Sequence, residues 1–351
     1  MPSWEQKLFD PSPGFLGEIV RAPLWLFAGI YRMGVKMRLD FYRRGWFHSH
    51  KIDIPVISVG NLTLGGSGKT PIVIWLAKKL AESGFKPAVS IRGFGARKEK
   101  EIFILNNPQL DISVREVGDE AMLIFKKLKN VPVIVGKDRV EAGKRASELG
   151  AQLLILDDGY QHIRLKRDVN ILLIDARRSI FKERIFPRGR LREPISQVSR
   201  AQIIIFTRSD GAFPSWAEEV KKLNPSAQFF QMRLVPKDYE ELCSKSAYAF
   251  SGICDPEDFF WLAESCKIKL VGKKAFQDHH FFTNKELKDM LREAKSKNAQ
   301  LLLTTEKDIV RIEDFKPELS LVALRVEPEF FGEESKLLSI ILNLIKRESK
   351  R

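Results

Sequence analysis

The sequence predicts an α/β protein: a parallel sheet covered by helices, with a smaller inserted α/β domain joined by a two-stranded linker. Three observations carry this. Short apolar runs, such as Val131-Pro132-Val133-Ile134-Val135 and Gln152-Leu153-Leu154-Ile155-Leu156, alternate with helix-like stretches. Strands of a parallel sheet are buried on both faces, so they read as continuous apolar runs. A glycine-rich turn stands between the first such run, Val56-Ile57-Ser58-Val59, and a helix-like run over 72–80. Finally, Phe230-Gln231-Met232-Arg233-Leu234-Val235-Pro236 is echoed by Val322-Ala323-Leu324-Arg325-Val326-Glu327-Pro328, as expected of two strands that leave one domain and return to it.

Composition sets the bounds. The 351 residues allow one large or two modest domains, and 44% hydrophobic residues can bury a sizeable core. A formal charge of +14 asks for an anionic partner: a nucleotide, a nucleic acid or an anionic membrane surface. Cys243, Cys254 and Cys266 lack metal-ligand spacing, which fits a reducing compartment without disulfides or a zinc site. The N-terminus, Met1-Pro2-Ser3-Trp4-Glu5-Gln6-Lys7, has no basic region ahead of an apolar core, so no cleavable signal is expected.

Taken in order, residues 1–50 read as an amphipathic membrane-interface segment. Ala22-Pro23-Leu24-Trp25-Leu26-Phe27-Ala28-Gly29-Ile30 is apolar throughout but too short to span a bilayer, which takes about 20 residues. Leu24, Ala28, Tyr31, Val35, Leu39 and Tyr42 fall at helical spacing, while Arg32, Lys36, Asp40 and Arg43 form another stripe. Trp25, Tyr31, Tyr42 and Trp46 are rings of the kind that settle among lipid headgroups, and Asp40 is the only acid between Arg21 and Lys51.

Residues 51–228 form the main domain. After the glycine-rich turn and its helix come a strand at Pro87-Ala88-Val89-Ser90-Ile91 and then charged, loop-like sequence to Asn107-Pro108. Val117-Gly118-Asp119-Glu120 opens a helix through Leu128, and the strand at 131–135, a helix over 139–149 and strands at 152–156, 169–174 and 203–206 follow. Residues 229–328 hold the smaller domain with its linker strands. Inside it, strands are expected at Tyr248-Ala249-Phe250, Ile268-Lys269-Leu270 and Leu301-Leu302-Leu303, with helices over 257–264 and 285–297. Residues 329–351 supply a last helix, over 336–345, that packs back on the main domain.

The turn Thr63-Leu64-Gly65-Gly66-Ser67-Gly68-Lys69-Thr70 has the layout of a phosphate-binding loop, which makes the sheet P-loop NTPase-type. Gly65, Gly66, Ser67 and Gly68 let backbone N–H groups turn inward around phosphate oxygens, and the helix N-terminus adds its positive end. Lys69 reaches the outer phosphates, and the Thr70 hydroxyl is placed to ligate Mg²⁺. Thr63 stands where the common pattern begins with glycine. Ligands of such sheets bind at the carboxyl ends of the strands. There, Leu156-Asp157-Asp158-Gly159-Tyr160-Gln161-His162 ends an apolar strand in two carboxylates, as a Mg²⁺–nucleotide site requires. Arg188, Arg190 and Arg192 lie in a Pro/Gly-rich loop suited to phosphate. Thr207-Arg208-Ser209-Asp210 loosely resembles the base-reading Thr-Lys-x-Asp of guanine-nucleotide proteins, with Arg in place of Lys.

Together, Gly60-Asn61-Leu62-Thr63-Leu64-Gly65-Gly66-Ser67-Gly68-Lys69-Thr70-Pro71 and Asp157-Asp158-Gly159-Tyr160-Gln161-His162 resemble the tetraacyldisaccharide 4'-kinases of lipid A biosynthesis. Further matches are Arg92-Gly93-Phe94-Gly95, Gly118-Asp119-Glu120, Gly189-Arg190-Leu191-Arg192-Glu193-Pro194, Asp278-His279-His280 and Thr304-Glu306-Lys307-Asp308. The likeness runs from about residue 21 past residue 328, and Thr63 fits that family's loop. Phe94 departs from it, standing where many members carry Tyr. The resemblance implies ATP and Mg²⁺ as cofactors and a tetraacyldisaccharide 1-phosphate lipid A precursor as acceptor. It implies a proton-accepting pair of Asp119 and His279, with Lys69 as the third catalytic residue. It adds Gln161 to Thr70, Asp157 and Asp158 at the metal, and assigns Asn61, Arg92, Glu120, His162 and Arg192 to substrate. It also implies a monomer, peripheral on the cytoplasmic face of the Gram-negative inner membrane.

Two other classes compete. A GTP-dependent switch or metallochaperone would use the same loop, but leaves the basic amphipathic N-terminus without a purpose. A nucleic-acid-binding ATPase would suit the charge alone, yet the basic loop at 188–192 carries no interleaved aromatics for base stacking. No nucleic-acid partner is expected.

Overall fold

The structure is a computed structural model that describes residues 23–96, 101–107, 109–313 and 315–348. Residues 1–22, which open the N-terminal segment, lie outside the described residues. Chain order begins with helix α1 (Pro23–Arg43), strand β1 (Val56–Asn61) and helix α2 (Lys69–Glu82), followed by β2 (Pro87–Ile91) and β3 (Phe103–Leu105). The short α3 (Val114–Val117) precedes α4 (Asp119–Lys127), β4 (Val133–Val135), α5 (Arg139–Glu148), β5 (Leu153–Asp157), β6 (Val169–Asp175) and β7 (Ile203–Thr207). Then come α6 (Ala217–Leu223), β8 (Gln228–Lys237), β9 (Ser246–Ser251), α7 (Pro256–Ser265), β10 (Lys269–Ala275) and α8 (Asn284–Ser296). The chain ends with β11 (Leu301–Thr305), α9 (Glu306–Ile309), β12 (Ser320–Glu329) and α10 (Glu334–Glu348).

The strands join in the order β10-β9-β11-β12-β8-β7-β6-β1-β5-β2-β4-β3. Every residue of β1, β2, β5 and β7 is buried, which is why these strands read as unbroken apolar runs. Pairing is parallel except where β3 meets β4 and where β12 meets β8. Those last two strands are the linker. The first half of β8 pairs with β7, and its second half runs antiparallel to β12 from Arg233↔Glu329 to Lys237↔Arg325. The first half of β12 pairs with β11. β8 thus extends the main sheet and β12 the strands of the smaller lobe, and their mutual pairing makes one continuous sheet, so the smaller lobe is carried by two hydrogen-bonded strands rather than by a loose tether.

Helix α2 lays Ile72, Val73, Leu76 and Leu80 on the main sheet. Leu337, Ile341 and Ile345 of α10, spaced four apart, join the same core, and the Trp75 indole donates to Glu334 at 2.8 Å. Helix α1 turns Ala28 inward, with Leu24, Tyr31, Val35, Leu39 and Tyr42 half-buried beside it. This is the stripe read from the sequence. One expectation changes: the charged stretch read as loop up to residue 107 contains β3, an antiparallel edge strand. Ile102-Phe103-Ile104-Leu105 is too short, amid charged neighbours, to announce a strand by pattern, and it takes its shape from β4 beside it.

Candidate active site

The carboxyl ends of β1, β2, β5, β6 and β7 converge on the glycine-rich loop. Asn61 closes β1, and Thr63 bridges antiparallel to Leu191, with the Leu64 amide donating to the Arg190 carbonyl at 2.7 Å and the Arg192 amide to the Leu62 carbonyl at 2.8 Å. The basic loop is thereby strapped to the phosphate loop. Gly68, at φ 77°, makes the left-handed turn from which α2 starts, so Lys69 and Thr70 form the first turn of that helix. Gly65, Gly66 and Ser67 line a cleft shared with Arg190, Arg208 and Cys254.

Lys69 Nζ lies 3.6 Å from the Asp158 carboxylate. Arg192 Nη1 donates to both oxygens of Asp158, at 2.9 and 2.8 Å, and faces Gln161 Oε1 at 3.3 Å. The Gln161 amide donates to the Asn61 carbonyl at 2.8 Å. Lys69, Asp158, Gln161, Asn61 and Arg192 therefore form one connected patch. Burial opposes the charge on Asp158, but Lys69 and Arg192 win and hold its carboxyl down at about 2.

Asp157 differs. Both of its oxygens are buried without a hydrogen-bond partner among the described residues. Burial pushes its carboxyl up to about 7, helped by the negative charge of Glu120. Beneath it the buried guanidinium of Arg139 donates to the Asp157 carbonyl and to Ser90 Oγ, each at 3.0 Å. The side chains of Asn61 and Ser67 and the Nε2 of His162 are likewise buried without partners among the described residues. Burial, seconded by Arg139 and Arg167, drives the His162 imidazole down to about 4. Orphaned buried polar atoms are costly, and their gathering around one loop marks a place where a ligand completes the hydrogen bonding. The donor set suits Mg²⁺, which takes one or two carboxylates and otherwise relies on phosphates and water.

A second cluster forms where the lobes meet. Gly118, at φ 89°, packs against the Phe94 carbonyl so closely that a Cβ there would come within 3.0 Å, and it places Asp119 at the start of α4. From the smaller lobe, His279 Nδ1 reaches Asp119 Oδ2 at 2.9 Å, across 160 residues of chain. The His279 backbone is left-handed, at φ 61°, and is tied by its amide to the Gly252 carbonyl at 3.1 Å. That is a strained conformation for a non-glycine residue, of the kind held at working sites. Arg311 Nε lies 2.9 Å from the same Asp119 oxygen, and the Glu120 amide donates to Asp119 Oδ1 at 2.8 Å. Burial opposes the Asp119 charge, but the His279 hydrogen bond and the charge of Lys307 lead the groups that pull its carboxyl down to about 2. The Phe94 ring covers His279 at 5.6 Å, and His280 turns away to Glu286.

The structure brings Asn61, Lys69, Asp158, Gln161 and Arg192 into direct contact, and Asp119 with His279. Glu120 contacts Lys307 at 3.2 Å, whereas Arg92 is exposed beyond the end of β2. Sequence reasoning missed Arg139, Arg311 and the role of Lys307. The last stands in the quoted motif Thr304-Glu306-Lys307-Asp308, so a cation in a motif that already holds acids was the available signal. It also missed that Arg208, in the stretch compared with base-reading motifs, donates to the Gly66 carbonyl of the phosphate loop at 2.7 Å.

Comparison with known proteins identifies the family. The family described as LpxK, tetraacyldisaccharide-1-P 4'-kinase, matches residues 20–346. Tetraacyldisaccharide 4'-kinase of Desulfotalea psychrophila is 36% identical over 318 residues, covering 86% of this chain and 90% of that protein. The namesake from Syntrophus aciditrophicus is 36% identical over 355 residues, covering 93% and 94%. The crystal structure of an "apo" form of LpxK from Aquifex aeolicus in complex with ATP superposes with a TM-score of 0.75 at 29% identity, over 93% of this chain and 99% of that one. By sequence along its whole described length and by fold, the chain belongs to the tetraacyldisaccharide 4'-kinase family.

Proposed function

We propose that this kinase transfers the γ-phosphate of ATP to the 4'-hydroxyl of a tetraacyldisaccharide 1-phosphate, with Asp119 and His279 receiving the acceptor. The observation that carries the reading is the Asp119–His279 contact at 2.9 Å, made between lobes and facing the phosphate loop's end of the sheet. ATP is supported by the phosphate loop and by the similar Aquifex protein, which was crystallised with it. Lys69 and the loop amides hold the phosphates. The acceptor hydroxyl attacks phosphorus as the bond to the leaving diphosphate breaks, and its proton passes to Asp119. Oδ1 of Asp119 bears the Glu120 amide and keeps a lone pair for that hydroxyl. A carboxyl held at about 2 is a weak base. Phosphoryl transfer through a loose transition state tolerates this, because the hydroxyl needs positioning early and gives up its proton late.

Thr70 and Asp157 are the residues that would hold Mg²⁺, since Asp158 and Gln161 are already engaged by Arg192 and steady the site from its edge. Bound there, Mg²⁺ would neutralise phosphate charge. We assign Arg92, Glu120, His162, Asn61 and Arg192 to the acceptor side. Residues 51–228 act as the kinase domain, 229–328 as the domain that brings His279, and 329–351 as a brace. The working unit is taken as a monomer, as the likeness to the family implies. The apolar outer face of α1 supports attachment to an anionic inner-membrane surface from the cytoplasmic side; no described helix is long and apolar enough to cross a membrane.

The test is transfer of labelled γ-phosphate to a tetraacyldisaccharide 1-phosphate in detergent. Label is expected at the 4' position, and Lys69→Ala is expected to lower kcat by at least about 10²-fold with an unchanged thermal melt. Near-normal turnover by Lys69→Ala would overturn the assignment.

A further inference from the structure

Lys307 has no part in the reaction as described so far, yet it sits behind the acceptor-binding pair. Its Nζ lies 3.2 Å from Glu120 Oε1, 3.4 Å from Asp278 Oδ1 and 3.5 Å from His279 Nε2. Its side chain is one-fifth exposed. Burial opposes its charge, but Glu120, Asp119 and Asp278 outweigh burial and push the ammonium up to about 12. It is thus a permanent cation at working pH.

A lysine ammonium has three donors and no lone pair to offer. At 3.5 Å the ammonium favours a lone pair on the ring nitrogen that faces it, Nε2, over the competing Asp278 carboxylate oxygen, which lies farther from that nitrogen at 3.7 Å. The opposite nitrogen, Nδ1, faces the ionised Asp119 carboxylate and must carry the proton. We propose that Lys307 is a positioning residue that locks His279 in the neutral tautomer protonated at Nδ1. The proposal rests on the reading of Asp119 and His279 as the acceptor-binding pair.

The charges around the ring explain why a lock is needed. Asp119 faces it from α4, Asp278 from its own loop at 3.7 Å and Lys307 from α9; Glu120 pairs with Lys307, Arg311 in the turn after α9 pairs with Asp119, and Phe94 covers one side. Without Lys307, the Asp278 carboxylate 3.7 Å away would be the nearest charged group to Nε2 and would favour a proton on that nitrogen. An imidazolium 2.9 Å from Asp119 would grip that carboxylate more tightly than a neutral N–H donor and weaken it further as proton acceptor. Lys307 keeps the positive charge one ring-width away instead.

The test is the ¹⁵N spectrum of the full chain labelled at histidine, in detergent at neutral pH. With five histidines the spectrum is tractable, and His279→Gln assigns the signal. In the unaltered protein, His279 Nδ1 is expected in the protonated range and Nε2 in the bare range. Lys307→Met is expected to take Nε2 out of the bare range towards the protonated range, and Lys307→Arg to restore the original pattern. The KM for ATP should change less than about twofold in Lys307→Met, since Lys307 lies on the acceptor side of the site. A wild-type signal from the other tautomer or from imidazolium overturns the proposal without any substitution at Lys307. A wild-type pattern that persists in Lys307→Met, or in Lys307→Gln should the first variant fail to fold, overturns it as well. The spectrum is read without turnover, so absence of kinase activity would sink the catalytic reading while the tautomer still decides the role of Lys307.

Discussion

At the scale of single residues, Asp119 shows how far a sequence can speak about a site. The phosphate loop and the paired aspartates are contiguous, so their chemistry was readable from spacing alone. His279 is separated from Asp119 by 160 residues, and no periodicity connects them; only likeness to a family did. Lys307 lies within a helix of four residues and Arg311 just after it, too brief an element to leave a pattern, and their cationic side chains read as surface until the fold turns them inward. Asp119 also makes a prediction about stability. Its carboxyl is held at about 2 against an ordinary 3.8, so the native state favours the ionised form. The sign follows from linkage: this contribution is complete above about pH 4 and is lost as pH falls through about 2. Its size is about 2 kcal/mol. In urea titrations, Asp119→Asn is expected to trail the unaltered protein at pH 6, with the gap narrowing by that amount towards pH 2.5. A gap independent of pH would show that the carboxylate is not stabilised by its neighbours.

Elements were more legible than their partners. Continuous apolar runs marked the central strands because burial on both faces leaves no polar alternation, and the echo of β8 by β12 reflected a real pairing. Strand β3 escaped because an edge strand of three residues is shaped by its neighbour rather than by its own pattern. Helix α1 carried two messages in one sequence. The stripe from Leu24 to Tyr42 docks on the protein: the Tyr31 hydroxyl donates to the Arg192 carbonyl at 3.0 Å, Arg38 to the Gln161 carbonyl at 3.1 Å, and Arg188 lies 3.7 Å over the Trp25 ring. The opposite stripe, Leu26, Ile30, Met33 and Met37, is wholly exposed, at 48 to 69% of each residue's surface. The exposed apolar face and the docked face of α1 are thus different, and the docked face touches the loop that holds Arg192. Replacing the outer stripe, as Leu26→Ser, Ile30→Ser, Met33→Ser and Met37→Ser together, is expected to reduce sedimentation with anionic vesicles at least about tenfold. The melting temperature in detergent-free buffer should hold, since no core contact is lost. Undiminished vesicle binding would remove α1 from the membrane interface.

For the whole molecule, the decisive feature is that two lobes share two strands and meet again through charge on both sides of the site. On one side Asp119–His279, Glu120–Lys307 and Lys127–Glu306 cross between them. On the other, Arg177 donates to Asp258 at 2.6 Å and to Asp255 at 3.1 Å, while Arg208 Nε meets Asp258 at 2.8 Å. Arg208 also donates to Asp175 at 2.8 Å and to the Gly66 carbonyl, so the second network reaches into the phosphate loop itself. The smaller lobe therefore bears on the nucleotide site through Arg208 and on the acceptor site through His279. Single exposed ion pairs are worth about 0–1 kcal/mol, but two arginines shared among three carboxylates act as a network, and 1–2 kcal/mol in total corresponds to roughly 5–30-fold in the balance between joined and parted lobes. Asp255→Asn combined with Asp258→Asn is expected to raise the KM for ATP by a factor in that range. The substitutions leave Lys69, Asp119 and His279 in place, so kcat at saturating ATP should change far less. Raising ionic strength should weaken ATP binding more steeply in the unaltered protein than in the double variant, because only the former still has the network to screen. Measured as ATP KM against salt for both proteins, two parallel curves would show that the network does not couple the smaller lobe to the phosphate loop.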